Sequence, residues 1–468
     1  MKLTFFGAAG EVTGSKHVFD NDGYQILLDC GLHQGRRRQA YELNKALPFD
    51  SSQLQAVILS HAHSDHCGTL PMLLKNGYQG RIYTTSATAK IATLILLDSA
   101  NIQKHDYEYL LHQGIPEEDL LLPLYTTKDV EATANRFEEV EYQRLQPGWK
   151  ELDENNRFKF YDAGHILGSA VTVIQSQSGA TTKRLLFTGD LGNGGVPILH
   201  DPEEIPETID SLIIECTYGD RNHRPIVEAD NILIDVITEA VENKRKIIVP
   251  AFALGRTQEL IYILHRLYNE GKIPTIPIYI DSPLSNKITE VFSDHLNDFD
   301  QETWNDFISN RESPFAFVNL KYVSSQEESK ALNNIEGPLM IIASSGMAEG
   351  GRVLHHLVHS IWKPETIIIL TGYQAENTLG RKIQEKQPNV PIFGKMHEMK
   401  AQVITINEFS AHADQQGLAI YIQKLKGLKK VFLVHGEPQA AQSLQALLAE
   451  RAPQLEVYIP KPGEQFEV

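Results

Sequence analysis

At 468 residues the chain exceeds one typical domain, so two or three domains, each with its own core, are expected. Hydrophobic residues make up 42% and charged residues 22%, an ordinary globular balance, and no apolar run reaches the roughly 18 residues needed to span a bilayer, which argues against a membrane protein. With 43 Lys and Arg against 60 Asp and Glu, the net charge of −17 argues against duplex binding through a broad basic face, so any nucleic acid must be held locally.

The opening "MKLTFF" reads as a first strand rather than a secretory leader, because polar residues resume at Glu11. The basic runs "GRRRQ" at 35–39 and "NKRK" at 243–246 read as solvated surface. Cys30, Cys67 and Cys216 are odd in number and lack CxxC spacing, so neither a disulfide framework nor a zinc–thiolate knuckle is expected, and a reducing, cytoplasmic setting fits. Strands are predicted at "QILLDCG" (25–31), "QAVILSHAHSDH" (55–66), "RIYTT" (81–85), "RFKFYDAGHILGS" (157–169), "AVTVIQS" (170–176) and "RLLFTGDLG" (184–192). These are apolar runs closed by Gly, Asp and His, as strands delivering polar residues at their ends. Between Leu97 and about Asn155 the pattern turns helical and charged. From Thr217 short apolar runs, "KIIVPA", "IPIYID", "PLMIIAS" and "TIIIL", alternate with helical stretches, which predicts a parallel sheet with covered faces and ligands at the strand C-termini. "SSGMAEGGR" lies at one such end, so the backbone amides of Ser344, Ser345 and Gly346, with Arg256 or Arg352, are candidates to hold phosphates. After Lys400, "AQVITINEFSAHAD" and "KKVFLVHGE" return to the first texture, so the middle reads as an insertion.

"HAHSDH" concentrates the chemistry. In extended chain i and i+2 share a face, so His61 and His63 can hold one cation while Asp65 and His66, in the following turn, reach a second. Other strand ends supply His165, Asp190 and His435. A consistent division puts His61, His63 and His165 on metal one and Asp65, His66 and His435 on metal two, with Asp190 bridging. Imidazole and carboxylate donors suit two zinc ions, with manganese or iron as alternatives. Two such ions activate a shared water, whose pKa falls toward about 7, and the bridging hydroxide with two carboxylates leaves a net charge of about +1, which favours a phosphate anion.

In this order the motifs resemble the metallo-β-lactamase superfamily, which implies an α/β fold, a four-layer αββα sandwich, and a supporting role for Asp29 of "LLDCG" behind the ligands. "IIECTYG" with Glu215, "EFSAHAD" with His412 and "LVHGE" with His435 further resemble motifs A, B and C of the β-CASP subgroup of RNA-processing nucleases, and "VPAFALGRTQEL" and "ASSGMAEGGRVLHHL" resemble its inserted parallel-sheet α/β cassette. The resemblance implies a metallo-β-lactamase domain at 1–213 and 400–468 with a β-CASP domain at 214–399. It implies hydrolysis of single-stranded RNA, endonucleolytic in preference to 5′-exonucleolytic, with Asp65, Glu215 and His412 as catalytic residues and His412 as general acid oriented by Glu215. A histidine at motif C goes with RNA rather than DNA nucleases. The rivals are a DNA nuclease, a small-molecule metallo-hydrolase, disfavoured by the inserted cassette, and an inert RNA-processing scaffold, disfavoured because every ligand is present. No membrane partner is expected, and a homodimer is left open. "SAHADQQG" at 410–417 echoes "HAHSDHCG" at 61–68, but Ser410 and Gln415 stand where a second metal site needs ligands.

Overall fold

Alternation along the strands sorts side chains into layers. In the strand Ser211–Glu215, Ile213 joins one buried cluster while Leu212 and Ile214 join another, and in Lys430–Val434 the residues Phe432 and Val434 face the first cluster while Val431 and Leu433 face the second. A sheet buried on both faces is an inner layer. The computed structural model describes all residues except 36, 117–119, 225–226, 373, 376 and 407–408, so Arg36 of the basic run and Glu408 of "EFSAHAD" lie outside the described residues.

Two compact units emerge. The first comprises Met1–Gly195, His200–Asn222 and Ala411–Val468, the second Val196–Leu199 and His223–Ser410. The first holds two seven-stranded sheets. One runs Gln465–Glu467, Lys2–Gly7, Lys16–Asn21, Tyr24–Leu28, Leu54–Ile58, Arg81–Thr84, Phe137–Glu139. The other runs Glu456–Tyr458, Lys430–Val434, Ser211–Glu215, Thr181–Phe187, Ala170–Ser178, Asn156–Asp162, Lys150–Glu151. Between them lies a core of Leu3, Phe5, Ile26, Leu28, Ile58, Phe158, Phe160, Ile174, Phe187 and Phe432. The second sheet's other face packs on Leu418 and Ile422 of the helix Gln415–Lys424 and on Leu444 and Leu448 of Pro438–Arg451. This is the predicted sandwich.

The second unit is built on a six-stranded sheet, Leu320–Tyr322, Ile278–Ile280, Leu339–Ala343, Lys246–Pro250, Thr366–Thr371, Gln402–Ile406, parallel throughout, as the unbroken apolar runs predicted. Four expectations change. The strand Gln402–Ile406, expected to belong with the first domain, pairs with Thr366–Thr371 instead and closes the parallel sheet as its edge, because the β-branched run "QVITI" suits a strand of either unit and its neighbour decides. Ser211–Glu215 stays whole in the first unit, so the boundaries expected at 213/214 and 399/400 fall at 222/223 and 410/411. The helical excursion does contain the helices Ser86–His112 and Thr127–Ala134, but Phe137–Glu139 and Lys150–Glu151 end it as edge strands. The run "NKRK" is not all solvated surface either: Lys246 is buried and its Nζ donates to the carbonyls of Leu332 and Asn333, while Arg245 pairs with Glu239.

Candidate metal centre

The strand Leu54–Ile58 ends two residues before Ser60, and the chain then runs extended through His63, whose φ and ψ are −63° and 146°, before the short helix Ser64–Cys67 carries Asp65 and His66. His165 follows the strand Asn156–Asp162, Asp190 follows Thr181–Phe187, and His435 follows Lys430–Val434. Five segments therefore deliver ligand-type side chains to one place.

They form two adjoining groups. The donor atoms of His61, His63, His165 and Asp190 lie within 4.8 Å of one another, and so do those of Asp65, His66 and His435. In the first group His61 Nε2 and His165 Nε2 stand 3.1 and 3.2 Å from His63 Nδ1. Asp190 faces both groups: Oδ2 is 3.3 Å from His61 Nε2 and 3.5 Å from His165 Nε2, whereas Oδ1 is 3.3 Å from His66 Nε2. Asp65 Oδ2 stands 3.5 Å from His435 Nε2. A third set, Asp190, Glu215 and His435, also has its donor atoms within 4.8 Å of one another, with His435 Nδ1 3.4 Å from Asp190 Oδ1.

Proton accounting supports cations here. Asp29 Oδ2 accepts from His66 Nδ1 at 2.6 Å and from the Ser60 hydroxyl at 2.9 Å, and that hydroxyl in turn accepts from His61 Nδ1 at 3.0 Å. His165 Nδ1 donates to Ala411 O at 3.0 Å. Thr217 Oγ1, which donates to His435 O, accepts from His435 Nδ1 at 3.1 Å. Each contact puts a proton on Nδ1 and turns Nε2 toward the cluster, the nitrogen a metal would then take. Among the described residues, His66 Nε2, His435 Nε2 and Asp190 Oδ1 are buried without hydrogen-bond partners. Buried polar atoms are normally satisfied, and these three point at one another's neighbourhood, as donors to divalent ions do. Ser60, Thr217 and the Ala411 carbonyl were not singled out from sequence, although Ser60 adjoins His61 and Thr217 sits in "ECTYG". Asp29 and His435 both adopt left-handed backbone, φ +59° and +49°, a strain of about 1–3 kcal/mol that aims each side chain out of its strand.

Charge follows burial and neighbours. Burial and the nearby His66 push His61 down to about 3, and burial pushes His63 down to about 4, so both are neutral and ready to ligate. Burial opposes ionisation of Asp190, but His435, His66 and His61 outweigh it and hold the carboxyl well below the usual range. Burial likewise opposes the charge on His66, and Asp190 and Asp29 outweigh it, raising His66 well above an ordinary imidazole.

Beside this centre His412 Nδ1 lies 2.9 and 3.1 Å from the two oxygens of Glu215, with the His165 ring 4.5 Å away between centroids. Glu215 is fully buried and also accepts from Leu191 N at 2.7 Å. Burial pulls His412 down, but the charge and hydrogen bond of Glu215, then Asp190 and Asp65, raise it to about 9. His412 therefore carries a proton at neutral pH.

Residues 10–251 match the profile of the metallo-beta-lactamase superfamily, residues 257–383 that of the Beta-Casp domain, and residues 396–460 that of the Zn-dependent metallo-hydrolase RNA specificity domain. The chain is 35% identical to Ribonuclease TTHA0252 of Thermus thermophilus over 99% of both chains. It is 32% identical to the RNase J-like protein of Methanocaldococcus jannaschii over 98% of both. It belongs to the β-CASP family of the metallo-β-lactamase superfamily. Endoribonuclease ysh1 of Schizosaccharomyces pombe is 30% identical over 97% of this chain and 57% of its own length.

In the β-CASP unit the predicted phosphate contacts separate. Arg352 donates to Asp281 at 2.6 Å and to Ser324 O at 2.9 Å, and Asp281 also takes His356 Nε2 at 2.7 Å. Arg256 pairs with Glu259 and lies over the Phe409 ring. The Ser345 amide donates to Gly350 O. Both guanidinium groups and one of the three amides are thus spent within the unit, because each lies beside an internal acceptor. The three cysteines are free and buried, with thiols pushed up by burial, and act as packing residues. Among the described residues no helix is long and apolar enough to cross a membrane.

Proposed function

We propose that this β-CASP protein is a metal-dependent ribonuclease that hydrolyses phosphodiester bonds of single-stranded RNA, with two zinc ions at the two histidine groups. The observation that carries the reading is the pair of ligand groups joined through Asp190, with a protonated histidine at their side. The names of the relatives, a ribonuclease and an endoribonuclease among them, and the RNA-specificity profile over 396–460 support RNA as substrate. Divalent ions bound at the centre would supply water activation near neutral pH and neutralisation of charge on the phosphate oxygens.

The chain's own residues do the rest. His61, His63 and His165 would hold the first ion and Asp65, His66 and His435 the second, with Asp190 shared between them. Asp29, Ser60 and Thr217 fix the rings of His66, His61 and His435. Asp29 and Ser60 meet each other, so one buried carboxylate orients a ligand of each ion. His412 gives its proton to the leaving oxygen, and Glu215 keeps it charged for that step. In the β-CASP unit the Ser344 and Gly346 backbone remains the candidate for flanking phosphates.

The test is incubation of zinc-loaded protein with end-labelled single-stranded RNA and DNA of one sequence, beside His63→Ala. RNA cleavage by wild type and its loss in the variant are expected; absence of RNA cleavage by the metal-loaded wild type refutes the reading. Product ends from internally and terminally labelled RNA separate the proposed endonuclease from a 5′-exonuclease.

A further inference from the structure

Lys16 opens the strand Lys16–Asn21 and is only 2% exposed. Among the described residues no carboxylate lies within ion-pair distance of its ammonium group. Its Nζ donates instead to two backbone carbonyls, Gly31 O and, at 3.4 Å, Gly14 O. Burial draws its pKa down to about 8, against opposing effects of Cys30 and Glu11, so the group still carries charge at neutral pH. A buried ammonium without an anion costs stability unless its donors are satisfied, and a core position of this kind would more cheaply hold Met or Leu. The carbonyls it engages therefore call for an explanation.

Those carbonyls belong to the two segments that grip Ser64, Asp65 and His66. Leu32 N donates to Ser64 O at 2.8 Å, Ser15 N to Asp65 O at 2.9 Å, and Cys30 N to His66 O at 2.7 Å, so three consecutive carbonyls of the ligand loop are each held from outside it. Gly31 N donates to Ser15 O at 2.9 Å, which ties the two gripping segments together, and the Thr69 hydroxyl donates to Cys30 O and Gly31 O. The approach is so close that a Cβ on Gly31 would fall 1.5 Å from Asp65 O. Lys16 spans Gly14 and Gly31 and so sets the separation of the segments that hold Asp65 and His66. In the first group His165 is held elsewhere, by Ala411 O, and His61 reaches Asp29 only at one remove, through the Ser60 hydroxyl.

We propose that Lys16 is a positioning residue that fixes the ligand loop of the second metal position, setting the affinity of that ion and leaving the first alone. The inference rests on the two-ion reading above. It is tested on the full-length metal-free protein by titration with zinc against a chromophoric chelator, which resolves two affinities without any RNA. Lys16→Met fills the same space without donor or charge, and Lys16→Gln keeps a single amide donor for Gly31 O. In Lys16→Met the second affinity is expected to weaken roughly 10–100-fold, the usual effect of removing a group behind the ligands, with the first unchanged and Lys16→Gln in between. A wild-type second affinity in Lys16→Met, or equal weakening of both sites, overturns the proposal. If Lys16→Met does not fold, Lys16→Gln is read by the same criterion, and if neither folds, Lys16 serves the fold as a whole and the proposal is overturned. A wild-type protein that takes up one ion instead overturns the two-ion reading.

Discussion

Glu215→Gln isolates the charge that keeps His412 protonated while preserving the size of the side chain. With His412 at about 9, about 97% of molecules carry the acid at pH 7.5, whereas an imidazole of ordinary pKa about 6.5 would be about 9% protonated there. The difference corresponds to about 3 kcal/mol in favour of the charged ring, net of the burial that opposes it. When the Glu215 charge is removed, burial still opposes the charged ring while Asp190 and Asp65 still favour it, so the pKa of the variant falls toward the ordinary value. For a variant at the ordinary value of about 6.5, turnover falls about tenfold at pH 7.5 and only about 1.3-fold at pH 6, where most ordinary imidazoles are protonated. The sign is that of an acid: activity is present below the pKa and lost as pH rises through it, at about 9 in wild type and at lower pH in the variant. The assay is turnover on saturating single-stranded RNA from pH 5.5 to 9, with zinc content measured on the same samples. A loss of the same factor at every pH refutes the acid role. A loss of zinc refutes it differently, because Glu215 also lies within 4.8 Å of donor atoms on Asp190 and His435 and would then be a ligand.

His412→Ala should leave the zinc content intact and lower turnover by roughly 10²–10⁴-fold, measured by single-turnover RNA cleavage beside elemental analysis. Asp190→Asn removes the charge that faces both groups, so both zinc affinities should weaken, whereas Asp65→Asn should weaken only the second; a zinc titration of each variant separates the two. Because His66 is raised well above an ordinary imidazole, binding of the second ion at pH 7 must expel its Nε2 proton. Calorimetry in buffers of different ionisation enthalpy should therefore register release of about one proton, and second-site affinity should rise with pH.

The strands of the first unit were legible because they close on Gly, Asp and His, their arrangement as a sandwich came from the family that their motifs resemble, and the parallel sheet was legible because its runs, such as "KIIVPA" and "PLMIIAS", are apolar without alternation. The candidate ligands stood out for a related reason: four of them occupy six residues, and the others each follow an apolar run. What was not legible depends on pairing across long separations. The run 402–406 has the composition of a strand for either unit, and only its partner, Thr366–Thr371, decides the matter. Arg352 reads as a free cation until Asp281, 71 positions earlier, is seen to hold it. The sequence does not single out Lys16, since lysine is almost never fully buried and nothing in "TGSKHV" announces Gly31 as its acceptor.

The likeness of "SAHADQQG" to "HAHSDHCG" marks the same limit from the other side, since two similar strings acquire different work from their surroundings. In the first string Asp65 occupies the first turn of a four-residue helix and turns its carboxylate toward His435. In the second, Asp414 is the N-cap of Gln415–Lys424 and its carboxylate accepts from Gly417 N at 2.8 Å, so it is occupied in starting a helix. Gln415, standing where His66 does, donates to Gly219 O and the Ser443 hydroxyl. Only His412 is left to do chemistry, and a single imidazole beside the buried Glu215 carboxylate holds a proton better than it holds a metal. On the proposed mechanism the second string thus brings a charged acid to the flank of the centre that the first string builds, and the two strings serve one reaction instead of repeating one site.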